Sequence, residues 1–360
     1  MKPSQSPTYV CEAEVAEGLE AIACDELRCR FGARVTLREI FASRRAPRSI
    51  RFEYTGDLAA LLQLHTVLAV YLVHHAAVPR PRALLGDEHL RALLAQIALV
   101  RSLLPSAQYR TLGLSAAGSG SPVLRRLTHE LAQHTGLAVA TDEGDLYVRL
   151  RRPPDGSEGW EVVIRLTPRP LSTRSWRVHN PQGALNATVA HAMVLLTRPT
   201  SRDVFLNVAC GSGTLLIERL RWGSARRVIG CDISAAALED ASANVAASGH
   251  SADVELYRWD ARALPLPSHS VDALCSVLPF GHKVGSHDEN LTLYPQILQE
   301  AARVAKPGGK FVLLTHEIRL MASLLEQPGS WTEEKILRVR VGGLYPRIYV
   351  LRRRQSLHTP

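Results

Sequence analysis

"NVACGSGTLLIE", residues Asn207 to Glu218, decides how the second half of this chain folds. An apolar strand runs into Gly211-Ser212-Gly213 and on into a helix. The glycines permit a tight turn and a close backbone approach, and the helix N-terminus behind them offers unpaired N–H groups. Two common nucleotide signatures do not match. Leu216 stands where the dinucleotide pattern needs a third glycine, and no G-x-x-x-x-G-K-[ST] occurs, which argues against NAD and ATP.

Outward from this stretch, "DVFLNVA", "RRVIGCD", "DVELYRWD", "VDALCSVL" and "GKFVLLTH" are apolar runs of strand length separated by helical stretches. Such alternation predicts an α/β domain with a mostly parallel sheet covered on both faces. "KILRVRVGGLYPRIYVLRR" reads as a closing hairpin across Gly342 and Gly343. Asp232 ends the strand in "VIGCDIS", where an acid can accept both hydroxyls of a ribose. Asp260, in "YRWDARALPLP", ends the next strand and can accept from an adenine amino group. Either aspartate alone reads as well as a helix cap or turn former. Gly-x-Gly, Asp and Asp on three consecutive strand ends, along the edge where open α/β sheets bind ligands, point to S-adenosylmethionine.

The first half is a mixture of short strands and helices. A strand "TYVCEAEV", a helix "GLEAIACDELRCRFG", two strand-like runs, a helix from Gly56 and a strand near "LAVYLVHHAAV" make an α+β unit over residues 1–80. A second unit, 81–168, carries a helix "EHLRALLAQIALVRSLL" and a helix "SPVLRRLTHELAQHTG" opened by Ser121 and Pro122 and closed by Gly136. A basic linker, 169–185, leads to an amphipathic helix ending near Thr197, and the parallel-sheet domain spans 186–354.

With 46% hydrophobic and 21% charged residues in 360, the chain has the composition of a globular protein, and its formal net charge of +9 favours a polyanionic partner. The six cysteines show no paired spacing and read as reduced core thiols of a cytoplasmic protein. The fourteen histidines form no ligand array, so no metal is expected. The apolar stretch Leu58 to Val78 is broken by Gln63, His65, His74 and His75, and reads as a helix followed by a strand, with no membrane span.

"LCSVLPFGHKVGSHDENLTLYP", "VAKPGGKFVLLTHE" and "VGGLYPRIYVLRR", with "RPLSTRSWRVH" and "ALNATVAHAM" upstream, resemble the THUMP-containing tRNA guanine-N2 methyltransferases, within the class I S-adenosylmethionine-dependent methyltransferases. The resemblance is strongest over Pro168 to Arg352. It implies a C-terminal Rossmann-like methyltransferase domain preceded by ferredoxin-like and THUMP domains. It further implies that Asn207, Cys210, Gly211, Ser212 and Gly213 hold the amino-acid part of the cofactor, Asp232 the ribose and Asp260 the adenine, with Thr214, Ile233, Ala261 and Ser276 in the same set. Relatives commonly carry Asp where Asn207 stands, so its contact to the methionine ammonium is a weaker, neutral one.

The implied reaction explains the loop. A guanine exocyclic amine is a poor nucleophile because its lone pair is delocalised, so an enzyme must accept its N–H bonds and align it with the methyl. In the family an Asn or Asp side chain and a loop carbonyl do this while an aromatic ring stacks on the base. The catalytic stretch expected here is Val277, Leu278, Pro279 and Phe280: Phe280 can stack, but Val277 stands where Asn or Asp should be and accepts nothing.

For RNA, Arg125, Arg126, Arg149, Arg151, Arg169, Arg174, Trp176, Arg177, His282 and Lys283 are the expected contacts. The resemblance implies tRNA read by shape and 3′ end, with an acceptor-stem base flipped out of its pair, by a monomer. Two rival readings stand beside it: a tRNA- and S-adenosylmethionine-binding protein without turnover, and methylation of adenine N6 or a protein glutamine amide.

Overall fold

The computed structural model describes residues 7–42, 48–117, 120–281 and 286–355. The chain divides into two compact units, one of Met1–Val15 and Glu20–Ser172, the other of Ala16–Leu19 and Thr173–Pro360.

In the first unit, β1 (Thr8–Val15) is followed by α1 (Glu20–Phe31), β2 (Val35–Phe41), β3 (Arg48–Thr55) and β4 (Ala69–Ala76). Then come α2 (Asp87–Ser102), β5 (Thr111–Ala116), α3 (Pro122–Thr135), β6 (Ala138–Val139), β7 (Leu146–Arg151) and β8 (Trp160–Arg165). All eight strands share one sheet in the order β2-β3-β1-β4-β8-β7-β5-β6, so β4 pairs directly with β8 across the Pro-rich stretch near residue 80. The boundary signals around α3 are as read: the Ser121 hydroxyl accepts from the Leu124 N–H, and Gly136 closes the helix at φ +68°. No α-helix starts at Gly56. A short 3-10 turn, Leu58–Gln63, stands there instead, with the Asp57 side chain accepting the Ala59 N–H at its start.

In the second unit, α4 (Ala187–Leu196) leads to β9 (Val204–Val208), α5 (Thr214–Trp222), β10 (Arg227–Asp232), α6 (Ala235–Ala247), β11 (Val254–Arg258) and β12 (Val271–Val277). These are followed by α7 (His287–Val304), β13 (Ala305–Thr315), α8 (Ile318–Glu326), β14 (Trp331–Arg338) and β15 (Arg347–Arg353). The strand order is β11-β10-β9-β12-β13-β15-β14; β15 alone runs antiparallel to both neighbours, which makes the expected terminal hairpin. The order reverses between β9 and β12, and in open α/β sheets ligands sit outside the carboxyl ends at such a switch point. The helix α4 is not amphipathic as its sequence suggested: Ala187 to Val194 are all buried, and its polar His191 is bonded inside. No described helix is long and apolar enough to cross a membrane. Five of the six cysteines are buried, whereas Cys29 is exposed.

Candidate active site

Every residue of β9 is buried, so the strand delivers its carboxyl end rigidly to the sheet edge. The chain then turns through left-handed conformations at Ala209 (φ +50°), Gly211 (+52°) and Gly213 (+79°). A left-handed alanine is strained, and such strain persists where the surroundings hold it. Here the Cys210 N–H donates to the Cys231 carbonyl at 2.9 Å, and the Gly211 N–H to Asp232 Oδ2 at 2.9 Å. A Cβ on Gly211 would enter open space. The turn therefore presents backbone, with no side chain in the way, to whatever lies above it.

Asn207 is fully buried; its Nδ2 donates to the carbonyls of Val208 (3.2 Å) and Cys275 (3.1 Å), while its Oδ1 has no partner. An unpaired buried acceptor is costly unless a ligand donor supplies the bond. Asn244 was not anticipated: buried on α6, it donates to the carbonyls of Ser212 and His179 and accepts from the backbone of Val178 and His179. A mid-helix asparagine in an alanine-rich stretch was its only sequence signal. Cys210 is buried, and burial, reinforced by the Asp232 charge, pushes its thiol well above the usual range, so it stays protonated. Thr214 is engaged too, its hydroxyl accepting from Arg177 at 3.1 Å.

Asp232 accepts from Gly211 through one oxygen and from the Ser234 N–H (3.0 Å) through the other, which leaves lone pairs on both for a further donor. Beside it Ile233 is 63% exposed, an apolar surface beside the glycine turn. Asp260 is gripped by Arg262, whose guanidinium reaches both carboxylate oxygens (2.7 to 3.1 Å) and holds the carboxyl below its usual range. Ala261 lies half-buried next to it.

Val277 is the last residue of β12, paired with Leu314 of β13. Strand alternation sets it on the same face as Cys275, whose cross-strand partner is Asn207. By the same alternation Ser276 lies on the opposite face, fully buried with its hydroxyl unpartnered. Leu278 is buried, and the Pro279 carbonyl accepts from Asn290 Nδ2 (3.0 Å) and the Tyr294 hydroxyl (2.6 Å). Both residues lie on α7, within the stretch "ENLTLYP", so α7 clamps the loop. With both lone pairs engaged, Pro279 is not an acceptor for substrate. The half-buried Phe280 ring lies 6.1 Å from that of His316.

The expected basic track divides. Arg149 pairs with Glu14 at 2.8 Å and stacks on Tyr71 and Tyr147; Arg151 bonds to Glu12 and Glu161. Arg174 is buried against Glu218 at 2.9 Å, Trp176 is 3% exposed, and Arg177 packs over that ring while donating to the Leu185 carbonyl. Carboxylates, carbonyls and rings engage the four arginines, and Trp176 is buried with its Nε1 unpartnered, so the five read as structural groups and not as phosphate contacts. Arg125, Arg126 and Arg169 remain exposed, the last two with only long ion pairs of 3.7 Å. His282 and Lys283 lie outside the described residues.

Comparison with known proteins supplies the family. Residues 174–347 match the RMKL-like methyltransferase domain. The tRNA (guanine(6)-N2)-methyltransferase of Thermus thermophilus is 30% identical over 94% of this chain and 98% of its own. The chain belongs to the THUMP-domain tRNA guanine-N2 methyltransferase family. The crystal structure of TrmN from Thermus thermophilus, 25% identical, superposes with a TM-score of 0.70 over 96% of this chain and 100% of that one. Against the mouse tRNA (guanine(6)-N(2))-methyltransferase THUMP3, 31% identical over 53% of this chain, the match spans only 40% of the relative's length.

The family's cofactor is S-adenosylmethionine, and the residues present fit it. The orphaned Asn207 Oδ1 suits an ammonium donor, Gly211 leaves room, Asp232 keeps lone pairs for a ribose, and Ile233 offers an apolar surface for a purine. When bound, the cofactor supplies an electrophilic methyl group. Were Asp232 to hold the ribose, Asp232→Asn would remove a charge-assisted bond worth about 1.5 kcal/mol. Roughly tenfold weaker binding of S-adenosylhomocysteine is expected by calorimetry. Unchanged affinity would remove Asp232 from the site.

Proposed function

We propose that this chain transfers a methyl group from S-adenosylmethionine to the exocyclic N2 amine of a guanosine in tRNA, in the acceptor stem. The observation that carries this reading is the juxtaposition, at one switch point, of the glycine turn with the Leu278-Pro279-Phe280 loop clamped by Asn290 and Tyr294. The full-length Thermus relative is named for guanine-6 N2 of tRNA, which supports both the base and the stem. Phe280 stacks on the base, and the Leu278 carbonyl accepts from the amine. We read the N-terminal unit as ferredoxin-like and THUMP domains that dock the tRNA, with Arg125, Arg126 and Arg169 as its phosphate contacts.

Unmodified tRNA transcripts incubated with the protein and labelled S-adenosylmethionine are expected to yield N2-methylguanosine at one acceptor-stem position. Label in adenosine, or in DNA or protein alone, would overturn the reading. The second reading, a binding protein without turnover, is favoured by one residue, Val277. Intact tRNA and cofactor binding with no labelled nucleoside would support it.

A further inference from the structure

A cavity of about 560 Å³ opens at the carboxyl edge beside the loop, within the volume range of small-ligand sites. Its walls include His287 and Leu291 from α7, and His316, Glu317 and Arg319 from the end of β13 and start of α8. It lies next to the loop: the His316 ring centroid is 6.1 Å from that of Phe280, and a Cβ on Gly281 would lie 2.6 Å from Glu317 Oε1. The parallel pairing of β12 with β13 produces this closeness, since the Leu278 N–H donates to Leu314, three residues before Glu317.

Glu317 is held in place and only partly used. Its Oε2 meets His287 Nδ1 at 2.9 Å, its Oε1 accepts from Asn290 Nδ2 at 3.4 Å, and its side chain is 14% exposed. A carboxylate offers about four lone-pair positions, so acceptor capacity is left facing the cavity. Guanine differs from adenine on the Watson–Crick edge by its N1–H, a donor where adenine has an acceptor, and a fixed carboxylate accepts the first and repels the second. A site built to bond a particular N–H rejects the analogue lacking it, because the buried acceptor is then unpaired.

We propose that Glu317 is the specificity residue of this site, accepting the N1–H of a guanine that Phe280 stacks. The proposal deepens the methyl-transfer reading and rests on it. Val277 concerns the N2 amine and Glu317 the neighbouring ring N–H, so the two act on different atoms.

The test uses the full chain and its Val277→Asn variant, each with and without Glu317→Ala. Two tRNAs are compared: one with guanine at the mapped position, one with 2-aminopurine, which keeps the exocyclic amine and lacks the N1–H. Glu317→Ala is expected to lower kcat/KM on the guanine tRNA about tenfold and to leave the 2-aminopurine tRNA nearly unchanged, collapsing the preference between them. A merely structural role would lower both alike, and equal losses overturn the proposal. Should the alanine variant fail to fold, Glu317→Gln serves, with the same ratio expected to shrink. If neither parent protein labels guanosine, the methyl-transfer reading fails and takes this proposal with it. Guanosine labelling with an unmoved ratio sinks the proposal alone.

Discussion

Val277→Asn is expected to raise the rate of guanosine methylation roughly tenfold to a hundredfold. A buried amine hydrogen without an acceptor costs about 1–3 kcal/mol. About 1.4 kcal/mol is a factor of ten in rate. Valine ends β12 on the face shared with Cys275 and, across the pairing, with Asn207, so a carboxamide there projects over the cofactor side of the sheet edge. The alternative acceptors do not replace it, since Pro279 already takes two donors from α7 and Ser276 faces the opposite core. Single-turnover rates on one tRNA, with melting temperatures recorded in parallel, make the comparison. Equal rates would mean that the Leu278 carbonyl and Phe280 suffice to hold the amine, and the valine would then be a tolerated variation in a working enzyme.

Glu218→Ala is expected to destabilise the C-terminal unit by about 3–5 kcal/mol, because it removes the buried carboxylate to which both Arg174 and His191 are bonded. Glu218 is fully buried, bonded at 2.9 Å to Arg174 and at 2.9 Å to His191. Burial alone would raise its pKa, but the His191 hydrogen bond and the Arg174 charge together outweigh it, and the carboxyl lies below its ordinary 4.5. A folded-state pKa below the unfolded one gives stability that is present above pH 4.5 and lost as pH falls through the folded value. The stability gap between the wild type and Glu218→Gln should therefore be widest near neutrality and narrow steadily below pH 4.5 in urea titrations. A gap that widens on acidification would mean that Glu218 is protonated in the native protein.

The same glutamate shows how far the sequence could be read. Asn207 to Gly213 could be assigned from the letters alone, because a strand, a Gly-x-Gly turn and a helix N-terminus are local features set within a dozen residues. Asp232 at the end of β10 followed from strand spacing, and the terminal hairpin from paired glycines, both left-handed in the structure at +56° and +84°. Glu218, the last letter of that stretch, carried no such mark: it looked like any helix glutamate until Arg174 from the linker and His191 from α4 closed on it. Likewise "NLTLYP" gave no hint that Asn290 and Tyr294 would clamp the Pro279 carbonyl eleven and fifteen residues back.

Composition misled where the charge was concerned. A net +9 suggested that arginines on β7 and in the linker face a polyanion, yet Arg149, Arg151 and Arg174 meet Glu14, Glu12 and Glu218 from distant parts of the chain. A guanidinium looks the same in sequence whether it pairs with a phosphate or with a carboxylate 135 residues away. The sequence by itself determined the α/β class and the glycine turn, because hydrophobic period and glycine conformation act over a few residues, while the departure at Val277 was visible only through the resemblance to the family's loop. Which charges are used up inside, and that Glu317 stands beside Gly281, only the tertiary structure decided, because ion pairs and cavities form between residues that the chain order keeps far apart.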